Sequence, residues 1–200
     1  MNRFVWNYRG EGPTSIPGIV IMEAQGGGPP VPPGAYQVKL TVAGKNYTAP
    51  LTIKADPRVK ASQADLEKQY EFVVKVRDRV TELHNTVNQM RASRAALEKA
   101  RGQNPAVNGV LSKMAAIEEE MTQVKSTSRD AALVYPIMLD AQYADLGNVA
   151  ETADSAPPQQ VYDVFQEYEQ RRANLMERWK ALQQEIGQLG VAGAAASGDQ

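Results

Sequence analysis

Apolar positions recur with a period of two in the first quarter of the chain and with a period between three and four through most of the rest. In "RFVWNY", Phe4, Trp6 and Tyr8 alternate with Arg3, Val5 and Asn7, the signature of a half-buried strand. "GIVIME" is a short apolar run that predicts a second strand, and "AQGGGPPVPPG" reads as a loop. Tyr36, Val38, Leu40 and Val42 then face one way while Gln37, Lys39 and Thr41 face the other. After a turn at Gly44-Lys45, whose leading glycine suits type II′, the alternation resumes with Tyr47, Ala49, Leu51 and Ile53. Pro50 cannot donate to a ladder, which predicts an edge strand or a bulge.

Beyond "ADPRVKAS" the period changes. Ser62 and Asp65 have the spacing of a capping box, and Leu66, Tyr70, Val73, Val76, Val80, Leu83, Val87, Met90 and Leu97 follow at steps of three and four. Arg94 fills one expected apolar slot. These spacings predict one amphipathic helix to about Ala100, roughly 57 Å long at 1.5 Å per residue. Asn104 as cap and Pro105 at the first helical position open a second helix with Val107, Val110, Leu111, Met114, Ile117, Met121 and Val124 on its face. Pro136 opens a third, shorter one facing inward through Leu139, Tyr143, Leu146 and Val149. The last helix runs from about Pro158 to Ile186, with Val161, Phe165, Tyr168, Leu175, Trp179, Leu182 and Ile186 in heptad spacing and Arg172 in the remaining slot.

The fold class that follows is α+β. Residues 1–58 read as a small β-sandwich remnant of Ig or fibronectin type, 59–187 as an antiparallel three- or four-helix bundle, and 188–200 as a disordered tail. Trp6, Tyr36 and Tyr47 are expected to hold the sheet, and Phe165 and Trp179 the bundle, through large buried aromatic area. A lone hairpin with one or two companions is marginal in water, so the β part is expected to lack strands or to lean on a neighbour. The first residues already look like a strand interior, so Met1 is expected to be a cut point inside a longer protein rather than a natural start.

Composition removes several function classes. Twenty-two Lys and Arg against twenty-three Asp and Glu leave a formal charge of −1, too little for a phosphate backbone or an anionic membrane to be held by a global field. Without cysteine there is neither a disulfide nor thiol chemistry, and no stretch reaches the roughly 20 apolar residues of a transmembrane helix.

No catalytic, cofactor-binding or metal-ligating residue is assigned. His84, the one histidine, has no second histidine or cysteine to join it at a metal, and it reads as a flank residue that packs or is solvated. Glu118, Glu119 and Glu120 fan out by roughly 100° each on a helix, so they do not converge on one ion and read as a solvated face. "GGGPPVPPG" has no lysine and precedes a strand, which makes it a linker rather than a phosphate loop. Asn46-Tyr47-Thr48 matches a glycosylation sequon beside an exposed turn, usable only if the chain is secreted in a cell that glycosylates, with chance occurrence the favoured reading, and Arg171 and Arg172 are interleaved with acids. Met90, Met114, Met121 and Met176 give the helical faces adaptable side chains suited to a partner, against the simpler expectation that the stripes cover one another.

The order of "NRFVWNYR", "PGIVIM", "PPGAYQVKLTVAGKNYTAPLTIKADPR", "LEKQYEFVVKVRDRVTELHNTVNQMR" and "YPIMLDAQYADLGNVAETADSAPPQQVYDVFQEYEQR" resembles the C-terminal region of bacterial sortilin-type, BNR-repeat, glycosyl hydrolase-like β-propeller proteins. The resemblance implies an exported parent in which a propeller precedes an Ig-like connector and then a helical segment, giving a periplasmic, cell-envelope or secreted location. It implies a non-catalytic accessory module whose partner is a protein or the propeller of the same chain; from the residues themselves no cofactor and, on charge, no nucleic acid is expected. Two other readings stay open: a piece that completes a hydrolase site with the propeller, and a helical oligomerisation element.

Overall fold

The structure, a computed structural model, describes residues 3–24, 27–102, 104–191 and 194. It is mixed α and β: a two-stranded antiparallel sheet, β1 (Gly34–Val42) and β2 (Lys45–Ile53), and four helices, α1 (Gln63–Ala100), α2 (Ala106–Met121), α3 (Leu139–Ala150) and α4 (Gln159–Gln188). The reading of residues 188–200 as disordered falls largely outside the described residues; Leu189 and Val191 pack against the core.

α1 begins where its capping box predicts. The Ser62 hydroxyl accepts from the Asp65 amide at 3.2 Å and the Asp65 carboxylate accepts from the Ser62 amide at 3.1 Å, so two otherwise unpaired donors are satisfied. Asn104 likewise caps α2, accepting from the Ala106 amide at 3.0 Å. α2 stops at Met121, before the expected end of its stripe, and Val124 lies in the turn that follows. α3 starts at Leu139, three residues after Pro136, and α4 starts directly after Pro158.

α2 and α3 both run back along α1, α2 against its second half and α3 against its first. Arg91 and Arg94 reach Glu118 of α2, and His84 and Gln69 reach Asp140 and the Ala150 carbonyl of α3. α4 then returns past both, with Lys113–Glu185 and Arg178–Glu120 linking it to α2 and Tyr143–Glu169 to α3. The bundle is thus three rods built from four helices, the middle rod being α2 followed by α3, which accounts for both helix counts the periodicity allowed.

The core between the rods holds Val80, Leu83, Val87, Met90, Met114, Met121, Leu139, Tyr143, Trp179 and Ile186, all nearly inaccessible. At the α3 end the packing is aromatic: Phe72 meets Tyr162 and Phe165 edge-on, and Tyr143 meets Phe165 and Tyr168, with ring centroids 5.1–5.7 Å apart. Phe72 and Gln69 are buried there while Leu66 and Tyr70 are only half-buried, so the stripe of α1 rotates at its first turns to face α3 and α4. In α3 the inward series ends on Ala150, and Val149 is exposed instead of buried.

The first 31 residues depart most from the expected pattern. Neither "RFVWNY" nor "GIVIME" forms a strand; the first has no ladder and bends at Tyr8, whose φ is 60°, and the second ends in a single 3-10 turn at Met22–Ala24. Alternation in "RFVWNY" finds no partner because Trp6 folds back, its indole donating to the Arg9 carbonyl at 2.7 Å. From Arg9 onward the chain is a strap along the bundle, anchored by Ile16 in the core.

The turn also differs. β1 and β2 pair with Val42 opposite Lys45, so the loop is Ala43-Gly44, not Gly44-Lys45, and both residues have positive φ (49° and 77°). That is the type I′ pattern, which Gly44 adopts freely and Ala43 only under strain.

Candidate functional site

Among the described residues three groups of polar side chains lie between the helices. In the first, Glu169 of α4 accepts from Tyr143 at 2.6 Å, from Arg79 at 2.9 Å and from Arg172 at 3.0 Å, and Arg172 also reaches Glu82 at 2.9 Å. Burial alone would push the Glu169 carboxyl up; the hydrogen bonds from Arg172, Tyr143 and Arg79 outweigh it and hold the group below the ordinary carboxylate range. Tyr143 is pushed far upward, by burial first and by its bond to Glu169 second, so its phenol keeps its proton and donates. Arg172 therefore occupies an apolar slot because a carboxylate pair waits there.

Arg94, the other arginine in an apolar slot, has the same explanation. Glu118 is buried, donated to by Arg91 at 2.8 Å and with Arg94 Nη2 at 2.7 Å from its second oxygen. The expectation of a solvated Glu118–Glu120 face is corrected at its first residue: one carboxylate points inward, Glu119 is exposed and Glu120 pairs with Arg178 on the surface. The helical fan that keeps the three apart from one ion is also what buries only one of them.

The third group holds His84, which is buried at 2% exposure rather than solvated. Its Nδ1 contacts the Thr14 carbonyl, which can only accept, so Nδ1 carries a hydrogen; its Nε2 lies 3.3 Å from the Asp140 carboxylate. His84 belongs to a polar stripe of α1 that reads the strap's main chain in order. Arg77 donates to the Glu11 carbonyl, Thr81 accepts from the Thr14 amide, His84 holds the Thr14 carbonyl, Asn88 donates to Ser15 and Arg91 to Pro17. The spacing is four, three, four, three, so α1 carries a second stripe beside its apolar one. That repeat is present in the sequence and was the available signal for the strap.

Residues 27–33 of the "GGGPPVPPG" segment run without helix or strand, and they also pack. The Gly10 amide donates to Pro29, the Gly28 amide to Gly10 and the Val31 amide to Tyr8, forming a short antiparallel contact. A Cβ at Gly28 would stand 2.1 Å from the Glu11 carbonyl oxygen, so only glycine fits. The depression beside this contact, between strap, α1 and α3, has Arg9, Glu23, Arg77 and Glu151 on its walls, with Arg9 and Glu151 paired. It holds about 70 Å³, well short of the roughly 300 Å³ at which small-molecule pockets begin. Among the described residues no group of three His, Asp or Glu is placed to hold a metal ion, and no helix is long and apolar enough to cross a membrane. Arg171 does not join a patch; it donates to Gln142 at 2.7 Å and lies over the Tyr168 ring.

The hairpin is different in kind. Its register places Tyr36, Val38, Leu40 and Val42 on the same face as Leu51, Ala49, Tyr47 and, at the turn end, Lys45, and Gln37, Lys39 and Thr41 on the other with Asn46, Thr48 and Pro50. The base of the apolar face is half-covered: Trp6 meets Tyr36 edge-on at 6.5 Å, and Leu51 and Ile53 are partly buried. Beyond that point nothing covers it among the described residues. Val38, Leu40, Val42 and Tyr47 are 51–58% exposed, so Tyr47 does not hold the sheet as expected. Asn46 of the sequon is exposed at the start of β2, where its side-chain oxygen accepts from Thr41. Exposed Phe4, Val5 and Tyr8 add to the apolar surface at this end of the molecule.

Compared with protein-family models, curated proteins and solved structures, the chain matches none.

Proposed function

We propose that this chain is a non-catalytic accessory module, the C-terminal part of an exported β-propeller protein, which positions the propeller or docks a protein partner through its hairpin. One observation carries the reading: the helices cover one another's apolar stripes and pair across their buried charges, while the hairpin leaves the outer part of its apolar face, Val38, Leu40, Val42 and Tyr47, open. The hairpin is then the end of an Ig-like sandwich whose remaining strands belong to the parent chain, and the bundle is the rigid base that holds it. Location outside the cytoplasm follows from the family resemblance alone.

The test is an assay of the purified chain on a panel of glycosides and esters. The module reading expects hydrolysis at the buffer rate. Turnover that co-purifies with the chain and is lost on heat unfolding overturns it.

A further inference from the structure

We infer that the hairpin is extended through the outer edge of β1, not that of β2, and that the strand added there is apolar on one face and carries a carboxylate opposite Lys39. The inference rests on reading the chain as a binding module and specifies how it binds.

The two edges differ because of one residue. Val42 and Lys45 close a two-residue loop, and the closing pair of such a loop exchanges both main-chain hydrogen bonds. Antiparallel pairs then alternate, so Leu40–Tyr47, Val38–Ala49 and Tyr36–Leu51 bond to each other, whereas Thr41–Asn46, Lys39–Thr48, Gln37–Pro50 and Ala35–Thr52 turn their main-chain groups outward. Pro50 sits at an outward position. Its missing N–H interrupts the free edge of β2 and leaves the inner ladder whole, a device that blocks strand addition. The edge of β1 has no such interruption: Ala35, Gln37, Lys39 and Thr41 each present an N–H and a carbonyl, and no main-chain bond from elsewhere in the described residues reaches them. A strand added to β1 also widens the open apolar face, because its alternate side chains fall beside Val38 and Leu40.

Charge selects the occupant. Residues 34–54 contain Lys39, Lys45 and Lys54 and no acidic residue. Paired edge to edge through β1, a second copy of the hairpin brings Lys39, the one charged residue of that strand, onto the same polar face as its own copy, while an acidic strand finds Lys39 at the centre of that face. Opposite charges directly across a strand pair contribute roughly 0.2–1 kcal/mol, a discrimination of up to about fivefold.

The probe is a nine-residue peptide of alternating valine and threonine with a central glutamate, titrated into the ¹⁵N-labelled full chain to about 2 mM, a range that detects binding of a few kcal/mol. Hydrogen exchange is read at the outward amides. Protection is expected to rise at least tenfold at residues 35, 37, 39 and 41 and to stay unchanged at 46, 48 and 52. Lys39→Pro, which removes one outward donor from β1, is expected to abolish the effect, and Thr48→Pro on the other edge to leave it intact. Should Lys39→Pro unfold the hairpin, Lys39→Glu keeps the test alive: it weakens the glutamate peptide two- to fivefold and favours one with central lysine. Four results overturn the inference: protection on the β2 edge, equal binding of glutamate and lysine peptides, self-association of the chain without peptide, or no response of any β1 amide. An unresponsive edge leaves the module reading standing, whereas turnover in the hydrolase assay removes that reading and leaves strand pairing untouched.

Discussion

The bundle and the hairpin solve the same problem in opposite ways. Each is amphipathic by its sequence period, but the helices turn their apolar stripes and even their misplaced charges toward one another, and the strands turn theirs toward solvent. Arg94 and Arg172 interrupt apolar stripes and are answered, Arg94 by Glu118 of α2 and Arg172 by Glu82 of α1 together with Glu169 of its own helix. Tyr47 and Leu40 fit an apolar face perfectly well and are answered by nothing among the described residues. The difference teaches that periodicity reports which face wants cover, while the source of the cover is a property of the whole assembly.

The contrast breaks most visibly in the bundle core. Trp179 is 4% exposed between the rods, and Trp179→Ala is expected to lower unfolding free energy by about 3–5 kcal/mol in urea titration followed by helical circular dichroism. Comparable damage is expected from Arg91→Ala combined with Arg94→Ala, since it strands the buried Glu118 carboxylate without a counter-charge; breaking a buried pair in this way costs about 3–5 kcal/mol. Adding Glu118→Leu to that variant is expected to restore most of the loss. A triple variant as unstable as the double would show that the charge is not the cause.

Acid should act on the bundle through Glu169. Its folded carboxyl titrates below its ordinary value of 4.5, so the unfolded chain binds the proton first as pH falls. The stabilisation is complete above the ordinary value and disappears as pH drops through the lower folded one. Glu169→Gln is expected to be less stable than the parent at pH 7 and to lose less on acidification from pH 5 to pH 2. Parallel acid profiles for parent and variant would count against the Arg79, Arg172 and Tyr143 contacts.

In the hairpin the same kind of substitution should do little. Leu40→Thr removes apolar surface that is already 58% exposed, and a change within about 0.5 kcal/mol in chain stability is expected. A loss above 2 kcal/mol would mean that the face is covered in the free chain.

Much of the fold was legible because local chemistry announces it. Ser62 and Asp65 mark the start of α1, Asn104 marks that of α2, and the steps of three and four locate the rods. Alternation in β1 and β2 gave both faces of the hairpin, with the turn displaced by one residue. What failed depends on distant partners. "RFVWNY" alternates like a strand but finds no ladder, and the need for glycine at position 28 comes from a carbonyl at Glu11. His84 was read as a flank residue because Asp140 and the Thr14 carbonyl lie 56 and 70 residues away. The strap leaves only a faint mark in the sequence, the polar steps Arg77, Thr81, His84, Asn88 and Arg91 along α1, whose partners are main-chain groups some 70 residues away.

Native-state hydrogen exchange on the whole chain compares the two regions most directly. If the bundle is self-sufficient and the hairpin awaits cover, the inner amides of Val38 and Leu40 exchange by local opening at least about a hundredfold faster than those of Leu83, Val87 and Leu182, which open only with global unfolding. Equal protection in hairpin and bundle would contradict the account, since it would require the apolar face of the strands to be packed already.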